Sequence, residues 1–126
     1  MKTIIKTSTA PMPIGPYNQA VRKDHFLFVS GQIAINPENN ELVLDSIEAE
    51  TKQVMENLAS ILRVAEVPFE CVVKTSIFLS DMAHFAKVNE VYGTYFNEKT
   101  APARETVAVK GLPKGVNVEI SLIAIH

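Results

Sequence analysis

The hydrophobic pattern of this chain switches repeatedly between a period of two and a period near 3.6, and the order of the switches predicts the fold. Thr3 to Lys6 reads as a short strand. The connection that follows, Ala10-Pro11-Met12-Pro13-Ile14-Gly15-Pro16, holds too many ring-locked φ angles for regular structure. Asn18 to Arg22 and Phe26 to Val29 flank Lys23-Asp24-His25 as a hairpin. Asp45 with Glu48 three residues on has the spacing of a reciprocal capping box. Ile47, Thr51, Val54, Leu58, Ile61, Leu62 and Ala65 then share one helical face, which ends ahead of Pro68. The β-branched run Val72 to Leu79 predicts a strand. Asp81 opens a second helix with Phe85, Val88, Tyr92 and Phe96 on one side. Glu105 to Val109 and Val116 to Ile125 close the chain as strands around Lys110-Gly111-Leu112-Pro113-Lys114-Gly115. The order β-β-β-α-β-α-β-β predicts an α+β fold. Two helices cannot cover both faces of such a sheet, so they share one.

The last strand carries the most information. Val116, Val118, Ile120, Leu122 and Ala124 form one apolar face that suits the underside of the helices. The alternate positions run Asn117, Glu119, Ser121, Ile123, Ile125, polar at first and then strongly apolar. Solvent is a poor home for Ile123 and Ile125, so this face predicts cover by another subunit. Glu119 is then either an ordinary solvated residue or a carboxylate beside a subunit seam, with its pKa raised by desolvation. Arg104 precedes Glu105 to Val109, and alternation groups it with Thr106 and Ala108, away from Val107 and Val109. Val107 and Val109 are expected to face the core, so Arg104 points away from it, toward the same kind of second face that carries Glu119. It is either a surface charge or a planar fork for a carboxylate.

Composition narrows the classes. The 126 residues are 47% hydrophobic and 21% charged without a low-complexity tract, enough for one domain over residues 1–126 to bury a core. Twelve basic against 14 acidic residues give a net charge of −2, with no long basic run. That balance argues against nucleic acid or an anionic membrane as partner. The single Cys71 fits a small buried hydrophobe in a reducing compartment. No stretch is apolar enough for a signal peptide or a membrane span, which predicts a soluble cytoplasmic protein. His25, His84 and His126 are too scattered for a metal site, and no serine-triad, phosphate-loop or dinucleotide signature is present.

Several segments together resemble a known family. Pro102-Ala103-Arg104 with Val107, Leu112 and Val118-Glu119-Ile120 is similar to the C-terminal signature of the RidA (YjgF) imine deaminases. Ile14-Gly15-Pro16-Tyr17, Ser30-Gly31-Gln32-Ile33, Val73-Lys74-Thr75 and Phe85-Ala86-Lys87-Val88-Asn89 extend the resemblance over essentially the whole chain. It implies a chorismate-mutase-like mixed sheet with two helices on one face. It also implies a homotrimer with a central barrel inside, the helices outside, and clefts between neighbouring subunits. The implied reaction is hydrolysis of reactive enamines and imines from pyridoxal-phosphate enzymes, such as 2-iminobutanoate and 2-iminopropanoate, to 2-oxo acids and ammonia, with no cofactor. By the same resemblance Arg104 binds the substrate carboxylate and Glu119 orients or activates water. Tyr17, Ser30, Gly31 and Asn89 line the cleft, with Thr106 at the substrate beside Arg104. Glu105 stands where the family usually carries a small or apolar residue, and Thr106 where some members have Cys. Two other readings stand beside deamination. One is a non-catalytic protein that binds 2-oxo acids or similar small carboxylates through Arg104. The other is RNA cleavage or translation inhibition, against which the acidic balance counts.

Overall fold

The computed structural model describes residues 1–126. In chain order its elements are β1 (Thr3–Ile5), β2 (Ala20–Lys23), β3 (Phe26–Gln32), β4 (Ile35–Asn36), β5 (Glu41–Leu42), α1 (Ile47–Val64), β6 (Val72–Leu79), α2 (Phe85–Tyr92), β7 (Ala103–Ala108) and β8 (Val118–Ile125). Six strands form one mixed sheet in the order β1-β2-β3-β8-β6-β7. Only the β6–β7 pair is parallel, which is what a crossover through α2 requires. β4 and β5 make a separate small hairpin, Ile35 opposite Leu42 and Asn36 opposite Glu41. Two-residue strands are too short to show a period, so the hydrophobic pattern did not reveal them.

Helix α1 begins one residue later than the Asp45 capping box predicts. Ser46 is the cap: its backbone is extended and its Oγ accepts from the Ala49 N–H at 3.0 Å. The shift places Ala49 three residues into the helix, so Glu48 has no reciprocal role and instead favours the positive end of the helix dipole. At the other end Glu66 adopts φ 58° and the Val67 N–H reaches back to the Leu62 carbonyl at 2.9 Å. That closure uses the last carbonyls, and Pro68 prevents continuation. The apolar stripe of α1 is buried as its spacing predicts. Val54, Leu58, Ile61 and Leu62 pack with Leu27 and Val29 of β3, Ile77 and Leu79 of β6, and Ile120, Leu122 and Ala124 of β8. Each such side chain contributes roughly 1.5–3 kcal/mol by leaving water. Phe96 lies beyond the end of α2, on a short turn, and completes an aromatic cluster with Tyr92 and Phe69. Cys71 sits just ahead of β6 and is only partly buried, with Sγ 3.2 Å from Nδ1 of His126.

The register fixes two opposite faces. Thr75 pairs with Arg104 and with Leu122, and Ile77 pairs with Thr106 and with Ile120, so these residues share the helix-covered face. Phe78 pairs with both Val107 and Glu119, which places those two on the helix-free face. The expectation that Val107 lies in the core with Arg104 turned away from it is therefore overturned. Val107 is 43% exposed, and Arg104 and Thr106 point under α2. The period of β7 is as expected, but its two faces are exchanged. Alternation alone cannot say which face of an edge strand a helix will cover. The helix-free face is apolar over a wide area. Ile4, Phe26, Phe28, Val107 and Ile125 are all exposed there, and Phe26 stacks on Phe28.

Candidate active site

Arg104 and Glu119 head two separate constellations. The first lies on the helix side of β7. The parallel β6–β7 register brings Arg104 beneath α2, where its Nη1 donates to Asn89 Oδ1 at 2.6 Å. The guanidinium carbon sits 5.0 Å from the Tyr92 ring centre and 5.5 Å from that of Phe85. One amide and two aromatic faces thus hold a planar cation in place and leave most of its five N–H donors free. Burial raises the Tyr92 phenol above its ordinary pKa, while its hydrogen bond with Thr75 and the charge of Arg104 oppose the shift. The phenol stays neutral and does not quench the cation. A cavity of about 500 Å3 opens beside this cage, walled by Phe96, Glu98, Pro102 and Arg104 among others. Thr106 shares this face, and its buried Oγ has no hydrogen-bond partner. A buried hydroxyl without a partner costs free energy that a bound polar group would recover.

Glu105, next to Arg104 in sequence, points to the other face. It forms an ion pair with Lys74 at 2.8 Å and accepts from Ser76 Oγ. Lys74 first, and then Ser76, hold its carboxyl below the usual carboxylate range. It does not neutralise the arginine.

The second constellation surrounds Glu119 on the helix-free face, at the beginning of β8. A cavity of about 300 Å3 is lined there by Met12, Ile14, Tyr17, Gly31, Lys114 and Glu119 with their neighbours. The Pro-rich connection is fixed by Gln19. That buried amide accepts from the Thr7 N–H and donates to the carbonyls of Thr7, Ala10 and Pro11. Gly15 turns at φ 124°, and Tyr17, half exposed, accepts from the Ile14 N–H through its hydroxyl. Ser30 and Gly31 form the bulge where the β3–β8 register shifts between Val29 and Gln32. Ser30 spends its hydroxyl on the Asn18 carbonyl at 2.6 Å, so it shapes the bulge. Glu119 is half-buried and belongs to no ion pair, and desolvation raises its pKa above the ordinary 4.5.

Gly31 matters for its size. A Cβ there would lie 2.9 Å from both Cδ and Oε1 of Glu119. The backbone at Gly31 would accept alanine, so Gly31→Ala is expected to fold and to push the carboxyl aside. A crystal structure of the Ala variant, set against an unchanged circular-dichroism melt, checks the displacement.

The residues singled out in the sequence are thus brought together in two groups, Arg104–Asn89–Thr106 and Tyr17–Gly31–Glu119. Within one chain the groups occupy opposite faces of the sheet. The aromatic cage of Phe85 and Tyr92 was not expected as part of a site, because apolar residues seven apart on one helix side read as core. The presence of Arg104 opposite that helix in the parallel register is the signal that distinguishes a cage from core.

The two helices on one face of a mixed sheet define an α+β class, here with a caged arginine and a desolvated carboxylate at strand β8. The sequence profile of the family described as Endoribonuclease L-PSP matches residues 7–126. A RutC family protein of Synechocystis sp. is 50% identical over 123 residues, covering 97% of this chain and 95% of its own. The 2-iminobutanoate/2-iminopropanoate deaminase of Mus musculus is 43% identical over 126 residues, covering 100% and 93%. The crystal structure of a Rid-family protein of Yersinia pestis superposes with a TM-score of 0.96 at 43% identity, covering 100% of both chains. The chain belongs to the RidA family, also described as Endoribonuclease L-PSP.

Proposed function

We propose that this protein hydrolyses 2-imino acids such as 2-iminobutanoate and 2-iminopropanoate to 2-oxo acids and ammonia, at sites shared between neighbours in a homotrimer. The observation that carries the reading is the pair of half-sites. A preorganised guanidinium suited to a carboxylate lies on one face, and a desolvated carboxylate suited to water activation lies on the other. One chain cannot apply both to the same small molecule. A neighbour that sets its β7 edge against the Glu119 cavity makes one complete cleft from the two. The apolar helix-free face supports such packing, with Phe28, Ile123 and Ile125 at its centre.

In the composite cleft Arg104 grips the substrate carboxylate through two parallel N–H bonds. Glu119 accepts a proton from water as the water oxygen bonds to C2 and the C=N electrons move to nitrogen. Glu119 hands that proton to nitrogen, giving the neutral carbinolamine, which then collapses: Glu119 takes the hydroxyl proton and passes it to nitrogen, the C–N bond breaks, and ammonia leaves as C=O forms. The product is the 2-oxo acid. Imines hydrolyse in water unaided, so orientation and one positioned proton acceptor suffice, the latter giving a factor of roughly 10²–10⁴.

The direct test is release of 2-oxobutanoate and ammonia from 2-iminobutanoate generated in situ, with and without the protein. A parent rate equal to the buffer rate would sink the deaminase reading. Assembly is checked separately. Light scattering is expected to return about three times the 13.9 kDa chain mass. Ile123→Glu sets a charge in the apolar seam, so it is expected to yield monomers that have lost turnover. A trimeric, active Glu variant would contradict the shared site.

A further inference from the structure

The start of β8, where Glu119 stands, is unusual for a central strand. On one side it pairs with β6, Val118 opposite Leu79 and Glu119 opposite Phe78. On its other side the pairing with β3 ends at Ile120 opposite Gln32, because the Ser30–Gly31 bulge has turned β3 away. Val118 and Asn117 therefore lack a strand neighbour there. The carboxylate of Glu50, in the first turn of α1, takes that place. Its Oε2 accepts from the Asn117 N–H at 2.7 Å and the Val118 N–H at 2.9 Å, and its Oε1 accepts from Asn117 Nδ2 at 2.9 Å. Glu50 is fully buried and has no cation partner. A buried carboxylate is tolerable when backbone N–H groups and a helix N-terminus surround it. Ser80 completes the arrangement. Its N–H donates to the Asn117 carbonyl at 3.0 Å and its Oγ donates to Asn117 Oδ1 at 2.9 Å. The loop just before has left-handed turns at Lys114 and Gly115.

We infer that Glu50 is a positioning residue for the deamination reaction, holding the beginning of β8 through Asn117 and Val118 so that Glu119 is fixed over its cavity. This inference rests on the deaminase reading above. The cost of burying a carboxylate at this place, where an apolar side chain would pack under α1, fits a positioning role better than a purely stabilising one. The action is on Glu119 alone. Arg104 shares the helix-covered side with Glu50, but its contacts are Asn89, Phe85 and Tyr92, none of them in the Glu50 network.

The test compares Glu50→Leu and Glu50→Gln with the parent protein on 2-iminobutanoate, together with amide hydrogen exchange at Asn117 and Val118. Glu50→Leu fills the volume and removes all three acceptor contacts. It is expected to lower kcat by up to about 10²-fold while KM, set by the Arg104 side, is unchanged. The two amides are expected to lose protection. Glu50→Gln keeps one acceptor oxygen for both amides. Its NH2 can donate to Asn117 Oδ1 once the Asn117 amide turns over and Ser80 Oγ accepts, so most of kcat should return. A folded Leu variant with parental kcat, or one whose KM rises as much as kcat falls, overturns the inference. If Glu50→Leu does not fold, Asn117→Ala decides. It removes the side-chain links to Glu50 Oε1 and Ser80 but keeps both backbone bonds to Oε2, so a smaller loss of kcat is expected, and parental kcat together with parental exchange at Asn117 and Val118 overturns the inference. A parent without imine turnover defeats the deaminase reading itself. The exchange arm then still judges the clamp, which fails if Val118 is as protected in the Leu variant as in the parent.

Discussion

Arg104→Ala is expected to abolish productive substrate binding while the sheet and α2 remain folded. Two charge-assisted bonds to a carboxylate are each worth roughly 1.5–3 kcal/mol, and tenfold in affinity corresponds to about 1.4 kcal/mol. The loss in kcat/KM should therefore be at least ~10²-fold. Arg104→Lys keeps the charge but forfeits the planar fork, and an ammonium cannot both stack between Phe85 and Tyr92 and donate in parallel to one carboxylate. An intermediate loss is expected. The measurements are steady-state 2-iminobutanoate hydrolysis and calorimetric binding of 2-oxobutanoate by the folded variants. A solvated strand-end arginine would leave both unchanged, with stability altered by no more than ~0.5 kcal/mol. Loss of 2-oxobutanoate binding in a protein whose parent never turned over imines would instead favour the carboxylate-sensing role.

Glu119→Gln is expected to lower turnover by about 10²–10⁴-fold and to raise stability at neutral pH. With the carboxylate as proton acceptor in the proposed reaction, parental activity should fall as pH drops through the raised pKa of Glu119, in a window lying above 4.5. The Gln variant should lack that acid limb. Stability moves the other way. With its folded pKa above its unfolded value, the native state holds more protons than the unfolded chain between the two values, so stability is lost as pH rises through that window. Glutamine has no charge to desolvate. The stability difference between variant and parent should be absent below pH 4.5 and open as pH increases. Urea melts of both proteins across that range, with the pH–rate profile, check the two signs together. Equal turnover by the Gln variant would assign water activation to another group.

The opposed signs say something about the design of this end of the sheet. A desolvated Glu119, a Gly31 that makes room for it, and a buried Glu50 on α1 that binds the two residues just before Glu119 all hold carboxyl groups where apolar packing would stabilise more. Around them the fold is ordinary and redundant. The core of α1 against β3, β6 and β8 supplies the stability that such a site draws down.

The hydrophobic pattern was decisive for the elements that are long and periodic. Eight alternating residues of β8 and five turns of α1 give hydrophobic signals that no other arrangement satisfies, and Val118, Ile120, Leu122 and Ala124 are buried as that pattern demands. The resemblance to the RidA signatures also singled out Arg104, Asn89, Gly31 and Glu119 as candidates for the chemistry. What the sequence could not determine was anything settled by a contact between distant segments. The cap of α1 moved from Asp45 to Ser46 because either can accept from a nearby N–H, and only the docked position of the helix selects one. The faces of β7 were exchanged because an edge strand with Val107 on one side and Thr106 on the other has little net preference. The parallel register with β6 and the placement of α2 made the choice. That choice decided where Arg104 points. It set the arginine and Glu119 on opposite sides of one sheet, because strands share faces through their pairing partners and not through their own alternation. Glu50 was hidden for the same reason: its three partners lie 67 and 68 residues away, and only the folded chain brings them to it.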